Sequence, residues 1–166
     1  MPVIARVNGH ALGGGLLVMA AADLRIAVSS AMVGMPEVLR GVPSTIEAAM
    51  LPAQIGAARA RRLLLLGDSI SAKQAESWGL VDRVVEPDGL DAAVEEWIAQ
   101  LLSAGPEALA AQKRLMLVWN RVPLDEGIEA GIWEFGKAFE AEGMNAEGRR
   151  MMNEFASRNQ RRKSRL

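Results

Sequence analysis

Apolar and polar positions are distributed unevenly along this chain, and the pattern changes character part-way. Residues 3–7 (VIARV) are rich in β-branched side chains and run into the turn pair Asn8-Gly9, which predicts a strand. Gly13, Gly14 and Gly15 follow, and then Leu16 to Ala22 without a charged group, which predicts a helix. Leu24 to Val28 (LRIAV) again has the composition of a strand, and Ser29-Ser30 ends it. A strand, Gly-rich turn, helix and strand in that order point to an α/β fold with a parallel sheet. From about Ser44 helical signals accumulate. Ser44 with Glu47 three residues on has the spacing of a capping box. Arg59 to Leu66 and Ala72 to Trp78 are helix candidates, and Val81 to Val85 is the last expected strand. Beyond Pro87, Leu90, Val94, Trp97 and Leu101 share one helical face, and Ile128, Ile132, Phe135 and Phe139 share another. Between them Glu107 to Asn120 follows Pro106, a good first helical residue. Trp97, Trp119, Phe135 and Phe139 are expected to fill a core, although so much apolar helix face also suits a subunit interface.

Composition narrows the classes. The chain has 166 residues, half of them hydrophobic, and a formal net charge of -1, so it has the makings of one globular core and no overall attraction for nucleic acid or an acidic membrane. The local exception is Arg158, Arg161, Arg162, Lys163 and Arg165, read as a solvated basic tail. Without cysteine there is no disulfide, thiolate metal site or cysteine nucleophile. The apolar run Ala11 to Ala22 is shorter than the roughly 18 residues of a membrane span. With no apolar leader after Met1-Pro2, the expected location is the cytoplasm.

The glycines raise a chemical question, because they impose an entropic cost where a buried helix must start. Lacking Cβ atoms, they allow positive φ and close approach to the unpaired amides at a helix N-terminus, a good place for a negatively charged oxygen. Close packing of the helix on a strand would use glycine equally well. Phosphate fits poorly, since Gly15 is followed by Leu16 and Leu17 where a P-loop carries Lys and Ser or Thr, and GHALGGG lacks the dinucleotide G-x-G-x-x-G spacing. An oxyanion forming on a carbonyl, in a pocket lined by leucine and methionine, suits the apolar surroundings better.

Taken together, PVIARVNGHALGGG, Asp23, GMPEVLRGVP and IGAARARRLLLLGDSISAKQAESWGLVDRVV resemble the crotonase superfamily, the enoyl-CoA hydratases and isomerases, in register from Pro2 to about Val85 and more loosely beyond. The resemblance is to the C-terminal two-thirds of such a protein. It implies a partial β-β-α spiral over residues 1–86, a helical block over 87–157 used for oligomerisation as a homotrimer or hexamer, and the tail 158–166. It implies an acyl-CoA thioester substrate, no metal, and no cofactor apart from the coenzyme A of that thioester. Gly14 matches the glycine whose amide is one of two oxyanion donors, the other coming in the family from a loop that precedes this region. Glu37, after the Pro36 of the PE pair, matches a catalytic glutamate, with Gly13, Leu17, Met35 and Pro36 as substrate-binding neighbours. The second hydratase glutamate falls on Leu17, so the arrangement resembles that of the family's isomerases, in which one glutamate moves a proton between two carbons. Between Met35 and Val38 the Glu37 carboxyl is expected to be buried. Hydratase-like, hydrolytic or decarboxylating variants share the same enolate support. The alternative is a non-catalytic or truncated crotonase-fold protein without a complete site. The resemblance assigns Asp23 to backbone geometry and His10 to no role, and Glu47 is read as a cap before an acyl-pocket residue.

Overall fold

The computed structural model describes residues 1–137 and 146–163, apart from the side chains of Glu47, Ala146 and residues 158–163. Its elements are β1 (Ile4–Val7), β2 (Ala11–Leu12), α1 (Gly14–Ala21), β3 (Leu24–Val28), β4 (Met32–Gly34), α2 (Leu51–Ile55), α3 (Ala57–Leu66), β5 (Ser69–Ser71), α4 (Ala72–Trp78), β6 (Arg83–Val85), α5 (Leu90–Leu102), α6 (Pro106–Trp119), α7 (Leu124–Lys137) and α8 (Ala146–Lys163). Short 3-10 helices occupy Pro36–Arg40, Ile46–Met50 and Pro87–Gly89. Two compact units result, Pro2–Ala99 and Gln100–Leu166 with Met1, so most of α5 belongs with the sheets rather than with the helices after it.

The first unit holds two three-stranded sheets. β1, β3 and β6 are parallel, with Ile4 opposite Leu24 and Val28 opposite Val85. β2 pairs parallel with β4, and β4 antiparallel with β5. The chain therefore lays one strand in each sheet before α1 and again after it, which is the β-β-α spiral expected from the resemblance. The strands of the first sheet are where the pattern placed them, except that β6 starts at Arg83. The second sheet was not legible, because strands of two or three residues are too short to show alternation.

α1 carries the apolar run into the core, where Leu16, Met19 and Ala20 are buried with Ile26 of β3, Val33 of β4 and Met35. Asp23 accepts the Val3 amide at 2.7 Å, tying the start of β3 to that of β1, the geometric role expected of it. His10 accepts the Met32 amide through Nδ1 at 3.0 Å and so holds the turn before β2 against β4. On the other edge of β3, Asp82 accepts the Arg25 amide at 2.7 Å. Val94 and Trp97 pack against this core, as expected.

In the second unit the expected core is only partly formed. Trp119 is half exposed and donates from Nε1 to the Gly127 carbonyl at 2.9 Å. Ile128, Ile132 and Phe135 keep most of their area accessible, Phe135 69% of it, and line a groove together with Trp119 and Val122. Phe139 lies outside the described residues. α8 continues as helix to Lys163, through much of the segment read as a tail, whose side chains are likewise outside the described set. No helix among the described residues is long and apolar enough to cross a membrane.

Candidate active site

The glycine run is the corner where β2 becomes α1. Gly13 has φ 53° and ψ −122°, a backbone conformation that L side chains rarely adopt. Its amide donates to the Gly34 carbonyl at 2.9 Å, which anchors the corner to β4. The first helical bond of α1 runs from the Leu17 amide to the Gly13 carbonyl at 3.1 Å. The Gly14 amide, at the first helical position, donates to no backbone or side-chain acceptor among the described residues. It sits at the positive end of the helix, with no acidic residue in the first turn. Gly13 is thus committed to the sheet, and Gly14 presents the free donor.

Glu37 arrives from the other side. β4 ends at Gly34, Met35 is fully buried, and Pro36 opens the 3-10 helix that carries Glu37 in its first turn. Glu37 Oε1 lies so close to the corner that a Cβ on Gly13 would stand 2.6 Å from it. Absence of a side chain at Gly13 therefore serves both the backbone turn and the carboxylate. Oε2 accepts the Ser44 hydroxyl at 3.3 Å. The expected burial of Glu37 is realised only in part: Met35 is in the core, but Val38 is exposed and Glu37 itself is half-buried, because a 3-10 helix three residues per turn wide directs its neighbours outward.

Of the residues singled out in the sequence, the fold brings Gly13, Gly14 and Glu37 to one corner, with Met35 and Pro36 supporting the helix that delivers Glu37. Leu17 lies in the same buried cluster as Met35, so α1 offers an apolar side chain and no second carboxylate. Ser44 is the residue the sequence misassigned. Its hydroxyl goes to Glu37 rather than to a helix start: the next 3-10 helix begins at Ile46, its N-cap is Thr45, and no side-chain hydrogen bond caps it among the described residues. The Glu47 side chain lies outside the described residues. An S-x-x-E spacing carries no signal that the hydroxyl turns back to a carboxylate seven positions earlier.

The fold is shared with solved structures of enoyl-CoA hydratases. The crystal structure of an enoyl-CoA hydratase from Bacillus anthracis superposes with a TM-score of 0.82 and 33% identity, over 86% of this chain and 55% of that one. The family model for enoyl-CoA hydratase/isomerase matches residues 1–160, and the chain belongs to that family. Similar curated proteins include an (E)-benzylidenesuccinyl-CoA hydratase from Thauera aromatica, 40% identical over 76% of this chain and 50% of that protein. A carnitinyl-CoA dehydratase from Salmonella typhi is 35% identical over 79% of this chain and 52% of that protein. The chain thus spans about half the length of the curated relatives it matches.

Proposed function

We propose that the protein processes an acyl-CoA thioester through an enolate, with the Gly14 amide donating to the thioester oxygen and Glu37 moving the proton. The observation that carries this reading is the unpaired Gly14 amide beside a corner against which Glu37 Oε1 is packed. In a 3-enoyl thioester, Oε1 would take a proton from C2 as the C–H electron pair moves into the carbonyl, and the negative oxygen would be met by the helix N-terminus. Return of that proton to C4 gives the 2-enoyl isomer and leaves Glu37 as it began. No metal or cofactor takes part, and coenzyme A enters only as part of the substrate. Met35, Pro36, Leu17 and Gly13 supply the apolar, close-fitting wall.

Leu17 favours isomerisation over hydration. Adding water across a double bond needs one group to deprotonate the water and another to protonate the far carbon, and α1 carries no second acid. The same residue supports the second reading, a crotonase-fold protein that performs no chemistry. The two part on one experiment: the chain is incubated with 3-enoyl-CoA and saturated acyl-CoA in D2O, following conjugation by absorbance and α-deuteration by mass spectrometry. Turnover by the unsubstituted chain, reduced about 10²- to 10⁴-fold in Glu37→Gln, is the expected result. Equal rates for the two would remove Glu37 from the reaction, and no turnover with no micromolar acyl-CoA binding would favour the non-catalytic reading.

A further inference from the structure

Resting on that reading, we propose that Ser44 is a positioning residue that holds Glu37 Oε2, so that Oε1, the oxygen beside the Gly13–Gly14 corner, is the one that moves the proton. The two oxygens of a carboxylate are chemically alike, and a side chain free to rotate would present either. Here they are distinguished by their surroundings. Oε2 accepts the Ser44 hydroxyl at 3.3 Å, and Oε1 faces the Cα of Gly13.

The path of the chain shows how Ser44 reaches that place. The 3-10 helix carrying Glu37 ends at Gly41 with φ 76°, which reverses the chain. The Val42 amide then donates to the Glu37 carbonyl at 3.3 Å, and two residues later the Ser44 hydroxyl donates to the Glu37 side chain. The returning loop is thus attached to both the backbone and the carboxylate of one residue. Of residues 41–46 only Ser44 is turned inward; the others are exposed. Ile46, just beyond, is the one non-glycine among the described residues with positive φ, at 55°. A β-branched residue in that region is strained, and such strain persists where the surrounding structure holds it. Ser44 makes no helix-capping bond that would account for its hydroxyl, since the following helix is capped by no side chain. A serine hydroxyl has a single proton to donate, and here it goes to Oε2.

In the reaction proposed above, Ser44 keeps its own proton throughout. Oε1 accepts the substrate proton and returns it, and the hydrogen bond to Oε2 holds the plane of the carboxyl between the two transfers. The effect should fall on turnover and leave binding of the thioester unchanged, because Ser44 acts through its hydrogen bond to Glu37.

The test uses Ser44→Ala, Ser44→Thr and Glu37→Gln in the whole chain, with 3-enoyl-CoA as the probe. Ser44→Ala is expected to lower kcat about tenfold with KM unchanged, and Ser44→Thr, which keeps the hydroxyl, to restore most of it. In protein labelled with side-chain 13C glutamate, the Glu37 carboxyl resonance, identified by its loss in Glu37→Gln, should move in Ser44→Ala and return in Ser44→Thr. A resonance unmoved in Ser44→Ala, a kcat equal to that of the unsubstituted chain, or a loss that threonine fails to restore would overturn the role of Ser44 while Glu37→Gln remains inactive. Full turnover in Glu37→Gln, or none in the unsubstituted chain, would instead overturn the enolate reading on which it rests.

Discussion

At Gly13 two demands meet on one residue. The backbone must turn from β2 into α1 through positive φ, and the Glu37 carboxylate must lie against the same Cα. Either demand excludes a side chain, so Gly13→Ala is expected to destabilise the protein by about 1–3 kcal/mol, read as a lower denaturant midpoint, and to displace Glu37. Gly14 provides the contrast: a Cβ there meets nothing within 4 Å and its helical backbone is unstrained. Gly14→Ala should therefore alter stability by less than about 1 kcal/mol. Equal losses at the two positions would mean that the strain is not local to the corner.

At the scale of elements, α6 is held at both its start and its middle by side chains from the helices after it. Glu147 of α8 accepts the amides of Glu107 and Ala108 at 3.1 Å, doing from a distant element what an N-cap does locally. Gly105 has no side chain because a Cβ there would run into that carboxylate. Glu147→Ala is expected to weaken α6 by about 1 kcal/mol and to speed amide exchange in its first turn and along α8. Arg114 of α6 meanwhile donates to Glu134 of α7 at 3.1 and 3.2 Å, and Lys137 adds a third donor at 3.3 Å. The hydrogen bond from Arg114 holds the Glu134 carboxyl below its ordinary range, with Lys137 adding to it. A carboxylate depressed in the folded state contributes stability above the unfolded value and loses it as pH falls through the folded one. The α6–α7 pair should therefore loosen in acid, below the ordinary carboxylate range, and Trp133 fluorescence should report a transition that Glu134→Gln lacks.

At the scale of the whole molecule, the exposed face of α7 is the feature that a single chain does not explain. Leu124, Ile128, Ile132 and Phe135 are accessible over more than half of their area and border a groove of about 550 Å³. Contiguous apolar surface of this kind marks an interaction site. We propose that copies of the chain assemble through the helices of the second unit, as the notion of a trimer or hexamer requires. Light scattering should then give a mass several times the 17.8 kDa of one chain, and Ile132→Glu with Phe135→Glu should return it to the monomer value without loss of helix by circular dichroism. A monomer at all concentrations would remove this use of the face.

The apolar run of α1, the strands of the parallel sheet and the amphipathic α5 were legible in the chain because each depends on a local period and on flanking turn residues. The glycine corner and Glu37 could be picked out there as residue types, and their meeting was implied by resemblance alone. The second sheet, the inward turn of Ser44, the cap supplied to α6 by Glu147 and the exposure of α7 were decided by tertiary structure. Each joins positions whose pairing leaves no periodic trace: strands of two or three residues, a hydroxyl that chooses a carboxylate over a cap, a carboxylate that reaches the start of a distant helix, and apolar side chains left accessible on a helix face. Sequence determines what a segment tends to be; burial and hydrogen-bond partners are settled only when distant segments compete for the same space.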